Sequence, residues 1–85
     1  MRVKYIIFDD IFPVIFPECM NHNMVKAGHA AKPHMKPTSA GYVNIGVNRR
    51  EEICVTCSGE SPSLQLISKP EKDETLIKNM INEII

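Results

Sequence analysis

Cys54-x-x-Cys57, with Cys19, His22, His29 and His34 elsewhere in the chain, assembles the ligand types of a zinc site. Zinc takes thiolate and imidazole ligands, usually four in a tetrahedral shell, and Cys19-x-x-His22 adds a second closely spaced pair. The surroundings argue against that chemistry. Positions 54 and 57 are an odd number apart on a run that reads as a strand, so their side chains point to opposite faces. Val55 and Thr56 between them are β-branched and disfavour the tight turn of a zinc knuckle. The pattern predicts Cys57 as a small core residue and Cys54 as a surface one. A Cys19 nucleophile with His22 as base, oriented by Glu18 or Glu60, is a second chemistry these types allow, but no local feature supplies an oxyanion hole. Walker, dinucleotide and zincin motifs are absent. The expectation is a chain with no catalytic residue, no metal and no cofactor.

The hydroxyl-rich segments offer a different chemistry. Thr38 and Ser39 precede one predicted strand, and Ser58, Ser61 and Ser63 follow another. If the two strands pair as a hairpin, Thr38, Ser39, Ser58, Gly59, Ser61 and Ser63 gather at one rim of the sheet. Hydroxyls and backbone N–H groups around a glycine suit a phosphate or ribose edge. Tyr42 opens the same strand and is placed to stack on a base, and Lys36 adds positive charge beside it. Ordinary turn chemistry explains the same serines and threonines, since they hydrogen-bond nearby backbone. Arg49-Arg50 reads as a solvated turn tip balanced by Glu51-Glu52.

The elements that must position these residues follow from patterning. Val3 to Phe8 is rich in β-branched and aromatic residues, Asp9-Asp10 signals a turn, and Ile11 to Phe16 returns. Pro13 lacks an N–H donor and places that second strand at a sheet edge. Asn21 is positioned to N-cap a short helix carrying Met24 and Val25 and ending at Gly28. Residues 29–40, with Pro33 and Pro37, read as a long mobile loop. Gly41 to Val47 alternates, as does Glu52 to Ser58 with Ile53, Val55 and Cys57 on one face. Leu64-Gln65-Leu66 reads as a short last strand. Ser68 and Glu71 have capping-box spacing, Pro70 suits a first helical turn, and Glu71, Asp73 and Glu74 suit the positive end of a helix dipole. Leu76, Ile77, Met80, Ile81 and Ile84 then form one helical face. Ile84-Ile85 fits core closure or a subunit contact. The fold class predicted is α+β: an antiparallel sheet of four to five short strands with a C-terminal amphipathic helix packed on one face.

Composition bounds the function. The chain has 85 residues, 44% of them hydrophobic, and ten basic side chains against ten acidic ones. Those proportions suit one globular domain rather than a disordered tail. No run approaches the ~20 apolar residues of a membrane span. Neutral net charge argues against a protein that grips nucleic-acid phosphates, including a small zinc-stabilised nucleic-acid module. Three cysteines and no secretory leader predict free thiols in a reducing cytoplasm. A domain this small has a thin core, often completed by a second subunit.

Three segments taken together resemble a group of short bacteriophage and prophage proteins: Lys4-Tyr5-Ile6-Ile7-Phe8 with Pro13-Val14-Ile15-Phe16, then Pro37-Thr38-Ser39-Ala40-Gly41-Tyr42-Val43, then Ser58 to Leu66 running into Ser68-Lys69-Pro70-Glu71. Ile11 departs from the pattern, which would place glycine in the first turn. The resemblance implies an accessory phage protein that acts by binding, either blocking a host protein or taking up a host signalling molecule. The expectation is a non-enzymatic homo-oligomer that counters host defence by sequestering a small nucleotide-like signal at the rim. The alternative is an inhibitor of a host protein with no small ligand, using the edge strand around Pro13 and the loop.

Overall fold

Tyr5, Ile6, Ile7 and Phe8 are consecutive and all are buried, so the first strand must have both faces covered. The structure, a computed structural model, describes residues 1–28 and 35–84 and shows how. The elements are β1 (Arg2–Phe8), β2 (Phe12–Phe16), α1 (His22–Gly28), β3 (Pro37–Val47), β4 (Ile53–Ser58), β5 (Glu60–Ser61), β6 (Leu66–Ile67) and α2 (Pro70–Ile84). The first four strands form an antiparallel sheet in the order β2-β1-β3-β4. β5 and β6 pair as a separate ribbon lying against β3. The class is α+β.

α2 covers one face, where Tyr5, Ile7, Val43, Cys57 and Ile77 make a buried cluster. The opposite face buries Ile6, Phe8, Phe16 and Ala40 under Met20, Val25, Met35, Leu64 and Leu66. Double coverage explains why β1 runs without a charged residue from Tyr5 to Phe8 while β4 alternates. Asp9 and Asp10 turn the β1–β2 hairpin at φ 53° and 60°, closed by the Ile11 N–H donating to the Phe8 carbonyl at 3.1 Å. Two left-handed residues match the twist of the flanking strands, and Asp tolerates that conformation. The hairpin therefore needs no glycine at Ile11. Lys72, 3.0 Å from Asp10, ties this turn to α2, and that contact foremost holds the Asp10 carboxyl below the usual carboxylate range.

α1 forms as expected, with the Met24 N–H donating to Asn21 Oδ1 at 2.8 Å. Other expectations change. Pro37 to Ala40 are not loop: they extend β3 and pair with Phe8 to Ile6 across a register shift, while 29–34, with His29 and His34, lie outside the described residues. The last strand is Leu66–Ile67, paired with a strand in the segment read as loop. Ser68 does not form the capping box. The Lys69 N–H donates to Asp73 Oδ2 at 2.8 Å, and the Ser68 hydroxyl turns inward. Ile84 is 75% exposed, so the end of α2 does not close the core. Among the described residues no helix is long and apolar enough to cross a membrane.

Candidate functional site

The polar residues gather in two places, one sealed and one open. The sealed one lies under α2. Tyr5 donates its hydroxyl to Asp73 Oδ2 at 2.5 Å, and Ser39 donates to Asp73 Oδ1 at 2.8 Å. Since the Tyr5 proton is committed to Asp73, Ser68 donates to the Tyr5 oxygen at 2.6 Å. Asp73 is 0% exposed and Ser39 1%. Burial first, and then the bond to Asp73, pushes the Tyr5 phenol far above its ordinary pKa. Every group faces a partner within the protein and none faces solvent, so the cluster joins β1, β3 and α2 and offers no atom to a substrate. Burial likewise pushes the Cys57 thiol up to about 12, so it stays protonated and unreactive. Cys54 lies exposed on the other face of β4. Among the described residues no three His, Cys, Asp or Glu side chains converge as a metal shell requires.

The structure divides the residues of the expected rim among three surroundings. Ser39 points under α2 into the sealed cluster, while Thr38, the extra residue at the register shift opposite Ile7 and Phe8, turns to the β1–β2 hairpin. Thr38 Oγ1 accepts from the Asp10 N–H at 3.0 Å and donates to the Ile7 carbonyl at 3.3 Å, which pins the hairpin turn. Ser61 is fully buried, with its Oγ 3.4 Å from Ser63 Oγ. Tyr42 and Ser58 are cross-strand partners on the face away from α2. Gly59 follows at φ 80°, where a Cβ would stand 3.0 Å from the Tyr42 ring. The opening expected for a stacked base is taken: the Arg2 guanidinium lies 4.1 Å from the Tyr42 ring centroid.

The open place is a cleft of about 600 Å³ between the segment entering β3 and the β5–β6 turn. Lys36 and Ser63 line it, as do Asn23 and Gln65, over a floor that includes Met35, Leu64 and Leu66. The structure thus brings Lys36 and Ser63 together, keeps Tyr42, Ser58 and Gly59 as a separate group, and commits Thr38, Ser39 and Ser61 internally. Asn23 and Gln65 were not legible as site residues, because the cleft joins α1 to a turn about forty positions away. The chemistry it permits is binding: an apolar floor with a few polar groups, in the size range of small-molecule sites.

Sequence reasoning also missed the role of His22. The ring is 3% exposed, its centroid 5.3 Å edge-on from Phe16, and Nε2–H donates to the Gly41 carbonyl at 3.0 Å. Burial lowers its pKa. A base whose folded pKa lies below its unfolded value opposes folding once the unfolded chain takes up a proton the native state refuses. His22 therefore costs nothing above about pH 6.5 and destabilises increasingly below it, by at most about 1.4 kcal/mol per pH unit until its folded pKa is reached. Urea midpoints measured at about pH 7.5 and 5.5 should show this fall, and His22→Gln, which keeps a donor toward Gly41, should remove most of it. An unchanged slope in the variant would assign the effect elsewhere.

Comparison of the chain with protein-family models, with curated proteins and with solved structures returns no match.

Proposed function

We propose that this protein is a non-enzymatic binding module that holds a small nucleotide-like molecule in the Lys36–Ser63 cleft and acts by sequestering it. The observation that supports the reading is the cleft itself: one ammonium group, a hydroxyl and two carboxamides over an apolar floor. That combination suits an anionic group attached to a flat or apolar body. The ligand site moves accordingly from the rim to the cleft, retaining Lys36 and Ser63. The resemblance to short phage proteins supplies the setting, an accessory protein in the host cytoplasm that lowers a defence signal as a homo-oligomer.

Native mass spectrometry after incubation with a nucleotide-rich bacterial extract tests this. A discrete small-molecule adduct is expected on the wild-type chain and at least about tenfold weaker binding in a Lys36→Ala/Ser63→Ala variant, the size of losing one or two polar contacts. An adduct retained in full by the variant, or none at all, would overturn it. The second reading, an inhibitor of a host protein, draws support from a different surface. Ile11 is 68% exposed at a cleft of about 350 Å³ that Phe12, Pro13, Leu76 and Met80 also line. A host protein lost from a pull-down by Ile11→Asp but not by the Lys36/Ser63 variant would favour it.

A further inference from the structure

The two edges of the sheet are not equivalent. Ile45 exchanges both backbone bonds with Met1, its N–H donating at 2.7 Å and its carbonyl accepting from the Met1 amine at 2.9 Å. Odd-numbered residues of β3 therefore bond toward β1 and even-numbered ones toward β4. From the register Tyr42↔Ser58, Asn44↔Thr56 and Gly46↔Cys54, the ladder to β4 uses Cys54, Thr56 and Ser58. Ile53, Val55 and Cys57 direct their N–H and C=O groups outward. The same reasoning through Ile6↔Val14 and Ile7↔Pro13 aims Pro13 outward on β2, where it has no N–H to offer. That edge is blunted. On the β4 edge the Cys57 N–H is met by Glu74 Oε2 at 2.9 Å. No described residue meets the outward groups of Ile53 and Val55.

We infer that the β4 edge pairs with β4 of a second copy of this chain, antiparallel about a two-fold axis at Val55. This register is self-complementary. Val55 exchanges both backbone bonds with its own counterpart, and each Ile53 N–H reaches the Cys57 carbonyl of the other copy. Each Cys57 N–H exchanges Glu74 for the Ile53 carbonyl of the other copy, which frees Glu74 to face Lys78 across the axis. The flanking groove carries the matching charge pattern. It measures about 510 Å³, and from α2 it is lined by Glu71, Glu74, Thr75 and Lys78, beside Ile53 and Val55. Two acids thus stand at the N-terminal end of that helical row and a base at the other. A two-fold axis runs the two α2 helices antiparallel and sets the acidic end of one row against the basic end of the other. An unrelated extended strand would satisfy the same backbone groups, but only a second copy presents this charge order in reverse. The inference gives the homo-oligomer of the proposed function its interface, and it is tested without ligand, so cleft and interface fail separately.

In the paired register Thr56 stands opposite Cys54 of the second copy as a non-hydrogen-bonded pair, with Cα atoms about 4.5 Å apart and within disulfide range. Thr56→Cys should therefore give, on mild oxidation, a covalent dimer whose bridge maps between positions 54 and 56. Light scattering on a sizing column should show a wild-type dimer, and Val55→Pro, which removes the central outward N–H, should be monomeric with an unchanged far-ultraviolet spectrum. Lys78→Glu sets acid against acid across the axis and should weaken dimerisation by about tenfold or more. It decides the matter if the proline variant fails to fold. A wild-type chain that stays monomeric at the highest soluble concentration would overturn the inference. So would a dimer indifferent to Lys78→Glu, or a Thr56→Cys bridge mapping elsewhere. A monomer that captures an extended peptide along β4 would assign the edge to a foreign strand.

Discussion

Asp73→Ala should remove about 3–5 kcal/mol of stability, a third or more of what a domain of this size has. The side chain accepts from three donors: the Tyr5 hydroxyl, the Ser39 hydroxyl and the Lys69 N–H. Removing it strands the two hydroxyls in the buried cluster and leaves the part-buried Lys69 N–H without its acceptor. Each buried donor left without an acceptor costs about 1–3 kcal/mol. Allowing for relaxation, the loss is about 3–5 kcal/mol, against a total stability of about 4–13 kcal/mol for a domain of 85 residues. Asp73→Asn should be far milder, at about 1–2 kcal/mol. Its carboxamide oxygen can replace Oδ2, and its NH₂ group meets Ser39, whose hydroxyl can reverse and accept. Urea unfolding followed by circular dichroism separates the two. Equal losses in both variants would mean that charge, not hydrogen-bond direction, is what the cluster requires.

Gly41→Ala is the second large effect, and it arises from backbone rather than chemistry. A Cβ on Gly41 would stand 2.5 Å from the Ser58 carbonyl oxygen and 3.3 Å from Ser68 Cβ. Neither neighbour is the free end of a flexible side chain. β4 must end, and the chain entering α2 must cross β3, directly over this position. The expected cost is about 2–3 kcal/mol or more, and because Ser68 would be displaced, the Tyr5 cluster should loosen with it. Gly46→Ala provides the contrast within the same strand. A Cβ there meets nothing within 4 Å, so the substitution should be neutral or gain up to about 1 kcal/mol. Thermal unfolding of the two variants side by side checks both, and comparable melting points would contradict the packing at Gly41.

The strands and the main helix were legible because their signals are local. Alternation in β4, the apolar run of β1, Pro13 on an edge and Asn21 as a cap each depend on a few adjacent residues. Asp73 shows what escaped. Read as a first-turn acid it suits a helix dipole and belongs in water. Yet it stands four residues before Ile77, on the same helical face as the core, and Tyr5 is a phenol that opens the buried run Tyr5–Phe8. The two were matching anomalies 68 positions apart. A helical wheel extended one turn back from Ile77 would have exposed the first of them. Thr38 and Ser39 part for a related reason: they are adjacent in sequence, but a register shift against β1 leaves Thr38 unpaired and bonded to the hairpin turn, while Ser39 enters the Asp73 cluster. The loop reading broke at Pro37, since a proline opening a strand does not forbid the pairing that follows.

β1 lies in the middle of the sheet, and the acceptor for its phenol arrives only with α2. No shorter stretch of chain can therefore bury Tyr5 with its hydroxyl satisfied, and the native arrangement must be found by closing large loops before most contacts reward it. Such a search is slow for a chain of this size. While it lasts, four successive apolar residues, Tyr5 to Phe8, have no covering layer and form a sticky β-prone segment. The window for misassembly is thus set by how quickly the distant helix docks, so variants that slow docking without changing final stability should lower the yield of soluble protein.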